Sequence, residues 1–241
     1  MKRPFHCCPI PRACLLILLA LPVFCATVRA QVILSDFNSS LDGWQAYAFA
    51  DPNTTVVYSA NGGVGGTGAA ILDEPANGAN DYFVAAPKFT GDLSAYYGGT
   101  LSLDMKLNPA WDGSGEAAMV ILTGTYNSSP LSIGYLPPTN QYPNAVSFTS
   151  YTFDLDTDTP WSLTTLSDFT SSTIATSAQI QSVLGSVTMM RVLGDWTDVQ
   201  DHDILDNVQL TAAVPEPSSI VLSGLAGAAA ICLHRRRRGE K

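Results

Sequence analysis

Between residues 100 and 107 the chain reads TLSLDMKL, and Leu101, Leu103, Met105 and Leu107 alternate with Ser102, Asp104 and Lys106. A period of two places the four apolar side chains on one face of a strand and the polar ones on the other. Runs of β-branched and aromatic residues recur at VILSDF from 32, TVVYSA from 55, DYFVAA from 81, AAMVILTG from 117, VSFTSYTFDL from 146, VTMMRVLG from 187 and ILDNVQLT from 204. Gly, Pro, Asn and Asp separate them, as strands joined by turns require. About eight such strands in one stretch predict an all-β fold, a jelly-roll-like β-sandwich. One segment departs from the period. In SAQIQSVLGS from Ser177, Ile180, Val183 and Leu184 stand at i, i+3 and i+4, with Ser177 as N-cap and Gly185 as stop. This spacing predicts a single short helix over one end of the sandwich. The Ser/Thr-rich stretch 162–177 reads as a surface loop, and no internal repeat is evident.

The two ends follow other patterns. Lys2, Arg3 and Arg12 precede an apolar run from Ala13 to Ala26, and Val28-Arg29-Ala30 offers small residues for a cut before Gln31. Those are the parts of a secretory signal peptide. The run of 14 residues spans only about 21 Å of a roughly 30 Å hydrocarbon core, so a membrane helix is the weaker reading. Phe24 argues against lipid attachment at Cys25, because a small residue would be wanted there. Residues 1–30 are therefore expected to be removed, leaving an exported domain at 31–213. Residues 214–241 hold Pro215-Glu216-Pro217, an apolar stretch over 218–233 and a cluster of Arg235, Arg236, Arg237 and Arg238. The apolar part makes a marginal single membrane helix of about 24 Å, with its arginines snorkelling and held on the cytoplasmic side.

Removing the ends changes the composition. All five cysteines, Cys7, Cys8, Cys14, Cys25 and Cys232, fall outside 31–213, so the domain must stand without disulfides, thiol catalysis or cysteine-bound metal. Its 183 residues suffice for one domain with a sizeable core. Lys88, Lys106 and Arg191 are its only basic residues against 19 acidic ones, a net −16 where the whole chain carries −9. That field opposes nucleic acid and anionic lipid and favours solubility and divalent cations.

Catalytic patterns are sparse. His202 is the only histidine of the domain, which excludes a multi-histidine metal site and disfavours a histidine-based triad. GVGGTG at 63–68 matches G-x-G-x-x-G, but AAILDEPANG after it is no helix, so the motif is read as a flexible β-turn rather than a dinucleotide site. Paired carboxylates of a carbohydrate-active enzyme are a remaining reading, which abundance alone does not support. Of Trp44, Trp111, Trp161 and Trp196, Trp44 in LDGWQ is expected in the core. Trp111 in NPAWDGSG is the candidate for an exposed sugar-stacking platform.

DYFVAAPKFTGDLSAYYGGTLSLDMKL at 81–107, with Trp161, VLGSV, Arg191 and the closing LDNVQL downstream, resembles laminin IV type A (laminin B) domains over roughly 36–212. Pro87 ends a strand, and Gly98-Gly99 permit positive φ before the next. The cysteine-rich repeats that flank such domains in animal matrix proteins are absent, so no laminin receptor role is implied. The tail resembles the PEP-CTERM sorting signal of Gram-negative exopolysaccharide-forming bacteria. That resemblance implies processing near Pro215-Glu216-Pro217 by an exosortase-type membrane transpeptidase, after an inner-membrane intermediate held by the tail helix. The expectation is an exported, non-enzymatic binding or structural module of the cell envelope, cell surface or exopolysaccharide matrix. A specific carbohydrate-binding module is the alternative and a carbohydrate-active enzyme the second alternative.

No cofactor is required by any of these readings, but a structural Ca²⁺ is expected at Asp36 and Asp206. First and last strands of jelly rolls often lie side by side, and two facing carboxylates repel without a counter-ion. Asp195, Asp198, Asp201 and Asp203 form a competing acidic loop.

Overall fold

The segment near the C-terminus that alternates Asp203, Leu205, Val208 and Leu210 inward becomes the spine of the fold. In the computed structural model, which describes residues 30–47, 53–75, 81–111, 117–164 and 173–213, it forms the longest strand. The strands in chain order are β1 (Val32–Ser35), β2 (Gln45–Tyr47), β3 (Thr55–Ser59), β4 (Ala69–Glu74), β5 (Tyr82–Val84), β6 (Thr100–Lys106), β7 (Val120–Tyr126), β8 (Ser129–Tyr135), β9 (Thr149–Asp154), β10 (Ser162–Thr164), β11 (Met189–Leu193) and β12 (Asp201–Thr211), with one α-helix, α1 (Ser177–Leu184). Two six-stranded antiparallel sheets result. The first runs β3-β4-β12-β6-β9, with β1 also on β12; the second runs β10-β8-β7-β11-β5-β2. The predicted sandwich is thus present, and all eight expected strands are found.

Four further strands lay below the sequence signal. β2 and β10 have three residues each, too few to show alternation, and β10 takes the first part of the supposed 162–177 loop. In β8 the sequence SPLSIGY breaks the period, and β4 follows GVGGTG as a strand where a helix had only been excluded.

One edge of β12 is shared. β4 pairs with it over residues 201–205 and β1 over 208–211. On the other edge β6 pairs with a register shift between Asp206 and Gln209. At this bulge Asn207 takes φ 50°, a conformation Asn tolerates better than most residues. Residues near the two ends of the described unit meet: Val32 faces Thr211, and Ala212 N–H donates to the Gln31 carbonyl at 2.8 Å.

Between the sheets, alternation along β6 buries Leu101, Leu103 and Met105 completely, each worth roughly 1.5–3 kcal/mol of burial. Trp44 is core as expected, edge-on to Phe37 and Phe89; Trp161 and Trp196 are buried too. Helix α1 packs on β7 and β8 through Ile180, Val183 and Leu184. Its N-cap is Thr176 rather than Ser177. Thr176 is extended (φ −76°, ψ 157°), its hydroxyl accepts Gln179 N–H, and Gln179 Oε1 accepts Thr176 N–H at 2.8 Å. Ser177 already belongs to the first turn. Gly185 ends the helix without entering the left-handed region. After β5, Pro87 opens a 3-10 turn, Pro87–Phe89, rather than ending the strand itself. Gly98 has positive φ before β6, whereas Gly99 serves close approach, since a Cβ there would lie 2.1 Å from the Thr211 carbonyl.

Residues 30–214 form one compact unit, and both sheets with all the described core belong to it. Among the described residues no helix is long and apolar enough to cross a membrane. The expected signal peptide, 1–30, and the sorting tail, 214–241, lie outside the described residues save Ala30.

Candidate functional site

Strand alternation sorts the second sheet into two faces. Phe83 reaches across to Leu72 of the first sheet around Gly194, so Phe83 and its pairing partners Val192 and Ala46 face the core. Tyr47, Tyr82 and Arg191 stand one residue out of that phase and belong to the outward face. Pairing carries this face on through Ile121 and Thr123 of β7, Ser132 and Gly134 of β8, and Ser162 and Thr164 of β10. Thr123 and Ser132 hydroxyls are hydrogen-bonded at 2.8 Å. Along this face Tyr82, Ile121, Arg191 and Leu193 are buried, whereas Tyr47, Thr123, Ser132, Ser162 and Thr164 are half-buried.

Arg191 is its centre. The guanidinium carbon lies 5.3 Å from the centroids of both the Tyr47 and the Tyr82 rings, a cation–π bracket. The residue is 1% exposed, and its Nε and Nη1 have no hydrogen-bond partner. Burial pulls its pKa down, while Tyr82 and Tyr47 push it up. Burial drives the Tyr82 phenol far above its ordinary value, with Arg191 opposing and Asp195 and Asp81 adding to the shift. Asp81 is itself buried and accepts the Thr54 hydroxyl. Nothing in the sequence reading assigned Arg191 a role in binding. The signal was there: a single arginine inside the apolar run VTMMRVLG of a domain with three basic residues.

The second feature is the corner at Asp206. Its side chain is fully buried where β1 and β4 give way to each other along β12. Oδ2 accepts Val64 N–H at 2.9 Å and the Thr67 hydroxyl at 3.2 Å; Oδ1 accepts Asn207 N–H at 2.7 Å. Burial raises the Asp206 pKa, the three donors lower it, and Asp104 raises it; the net shift is upward. Asp206 therefore holds GVGGTG as a pinned turn at Val64–Gly66, in which Gly65 takes φ 68° and Gly66 φ 85°. The glycines have steric reasons: a Cβ on Gly63 would lie 2.2 Å from the Gly68 carbonyl, and one on Gly68 1.9 Å from that of Phe37. β4 follows directly, so no helix N-terminus is available for a phosphate.

Asp36 sits one residue beyond the β1–β12 pairing, and so comes to the same corner as Asp206. Its exposed carboxylate turns back on Asn38, accepting the backbone N–H at 3.2 Å and the side-chain amide at 2.8 Å. Among the described residues no group of three or more His, Cys, Asp or Glu side chains is placed to hold a metal ion. Of the competing loop, Asp195 and Asp203 are buried, and Asp203 accepts Asn108 N–H at 2.7 Å.

Trp111 lies in a loop after β6 as expected, but half-buried. It meets Tyr142 edge-on at 4.7 Å, and Tyr142 meets Trp196 at 5.0 Å, so the ring belongs to an aromatic row and is not a free platform. Pro215, Glu216, Pro217 and Arg235 to Arg238 lie outside the described residues.

The sequence matches the family described as laminin B (domain IV) over residues 82–224, and the PEP-CTERM protein-sorting motif over 213–238. No curated protein matches it. In structure the chain is similar to the family 11 carbohydrate-binding module of a cellulosomal cellulase of Clostridium thermocellum, at 11% identity and TM-score 0.50 over 80% of this chain and 99% of that one. It is also similar to the L4b domain of human laminin alpha-2, at 15% identity and TM-score 0.47 over 55% of this chain and 70% of that one. The family 30 carbohydrate-binding module of another Clostridium thermocellum cellulosomal cellulase matches at 13% identity and TM-score 0.46, over 76% and 98%.

Proposed function

The chain belongs to the laminin B (domain IV) family and carries a PEP-CTERM sorting motif, and from that premise we propose an exported, non-enzymatic module that binds glycan on the outward face of its second sheet. The sorting motif implies export and delivery to the cell envelope. In this reading an exosortase-type transpeptidase cuts near Pro215-Glu216-Pro217, after residues 218–233 have held the precursor in the inner membrane of a Gram-negative cell. The product joins the cell surface or exopolysaccharide matrix. Mass spectrometry of surface-extracted protein tests this step; a mature pool still ending at Lys241 would refute it.

The glycan part rests on one observation, half-buried Tyr47 and the half-buried hydroxyl residues Thr123, Ser132, Ser162 and Thr164 along a face turned away from the core. Sugar rings present C–H faces that stack on a tyrosine, and hydroxyls that pair with Thr and Ser. The sandwich fold shared with a carbohydrate-binding module is compatible with this. The face, not Trp111, is then the principal contact. A glycan array with residues 31–213 at near-physiological salt is expected to give saturable binding that Tyr47→Ala abolishes and Trp111→Ala leaves. Binding lost only in Trp111→Ala would move the site, and no binding to any glycan would end the proposal.

A further inference from the structure

We infer that the free edge of β3 is a self-association surface, which pairs antiparallel with β3 of a second copy of this chain. An open edge offers a row of backbone N–H and C=O groups to any extended chain, and folds blunt such edges by shortness, charge or cover. The other edge strands of this domain are blunted in these ways. β2 and β10 have three residues each. β1 has four, and Lys88 Nζ donates to its Leu34 carbonyl. β9 runs into Asp154, Asp156 and Asp158. β3 ends the first sheet with five residues, TVVYS, that include no charge, no Pro and no Gly. Among the described residues it pairs with β4 alone. Thr55, Val57 and Tyr58 are exposed, Val57 by 43% and Tyr58 by 37%.

Charge selects the occupant. The domain carries net −16, so two copies repel over most of their surfaces. Residues 53–72, which span β3, the turn after it and most of β4, hold no charged residue. A charged partner finds nothing to match at this edge, whereas a second copy meets no repulsion there. Asp73 lies opposite Thr55 on β4. In the pair it stands about 20 Å from its own copy, three strand spacings across and four residues along. That exceeds the Debye length of about 8 Å at physiological salt.

The strand is also its own complement. With Val57 on the two-fold axis every residue of β3 pairs: Val57 with Val57, Tyr58 with Val56 and Ser59 with Thr55 of the other copy. Aromatic rings opposite β-branched side chains are favourable cross-strand pairs. Val57 stands in line with Ile71 of β4 and Ile204 of β12, both half-buried on the outward face. The join carries this apolar row through the axis into the second copy. An edge of five residues is small beside the roughly 800 Å² per partner of a standard interface, so the dimer is weak, with a dissociation constant on the order of 100 μM. It forms where the chain is concentrated.

The experiment is analytical ultracentrifugation of residues 31–213 from about 10 μM to about 1 mM, at low and at physiological salt. Expected is a monomer–dimer equilibrium that tightens with salt. Val57→Lys should weaken it about tenfold or more, and Val146→Lys, at an apolar loop residue 90% exposed, should leave it unchanged. Air oxidation of Val57→Cys then tests the register. The domain has no cysteine of its own, and opposed residues of antiparallel strands stand about 4.5 or 5.5 Å apart at Cα, within disulfide reach. Val57→Cys should form a disulfide-linked dimer about tenfold faster than Val146→Cys does. Thermal midpoints check that the variants fold. A domain still monomeric at about 1 mM leaves the edge to some other extended chain and overturns the inference. A dimer indifferent to Val57→Lys, or equal cross-linking at residues 57 and 146, overturns it as well.

Discussion

Replacing Asp206 by alanine tests whether the GVGGTG turn is held by a buried carboxylate. The variant deprives Val64 N–H and Asn207 N–H of their acceptor, together with the Thr67 hydroxyl. Each backbone bond to a charged acceptor is worth about 1.5 kcal/mol at the lower end, so Asp206→Ala should cost about 3 kcal/mol. Asp206→Asn keeps one acceptor oxygen but points an amide at a backbone donor, so it should fall about halfway. Urea unfolding of residues 31–213 at neutral pH, with the slope m unchanged, reads these differences. A loss under about 0.5 kcal/mol for Asp206→Ala would refute the reasoning. Because burial lifts the folded pKa above 3.8, Asp206 takes up a proton on folding in the range just above that value. Wild-type stability relative to Asp206→Asn should then grow as pH falls from 7 towards 4, and shrink as pH rises through the folded pKa. The same samples decide the calcium proposal for Asp36 and Asp206. An ion at about 100 times its dissociation constant would add about 2.7 kcal/mol to wild type and nothing to Asp206→Asn. Hydrogen bonds alone predict one mutational cost in calcium and in chelator.

Gly68→Ala, whose Cβ would overlap the Phe37 carbonyl, should destabilise by about 3 kcal/mol, whereas Gly65→Ala, with open space but φ 68°, should lose only about 1 kcal/mol in the same assay. Asp42 is pushed up by burial, but hydrogen bonds from Lys88 and Ser35 and the Lys88 charge hold it below its ordinary value. Its contribution is present above pH 3.8 and fades as pH falls through the lower folded value, so the difference between wild type and Asp42→Asn should shrink as acid unfolding is carried below pH 3.8. Thr176→Ala, which removes the capping box of α1, should cost about 1 kcal/mol by thermal unfolding.

The eight strands legible in the sequence are those whose faces differ in polarity, β6 above all. β2 and β10 are too short to carry a period, and tertiary pairing alone defines them. Asp206 was singled out for its place on the last strand, and the structure does bring it beside the end of β1. Its partners Val64 and Thr67 stand some 140 residues away and contribute a backbone N–H and a hydroxyl, which residue type does not announce. Arg191 shows the opposite failure: the residue was conspicuous, but only pairing across β2, β5 and β11 reveals the two tyrosines around it. Trp111 was judged from its loop context, and Tyr142, which covers its edge, comes from another loop.

The strand that leads to the tail is also the most embedded one. Pulling on residue 213 draws β12 along its own axis, while β4 and β1 grip one edge and β6 the other. Antiparallel ladder bonds lie across the strand, so such a force strains them together in shear instead of peeling them one by one. A domain tethered through its tail, and tugged by whatever it holds, would resist mechanically as a whole; a load on β3 or β9, at the edges of the same sheet, could unzip a single ladder.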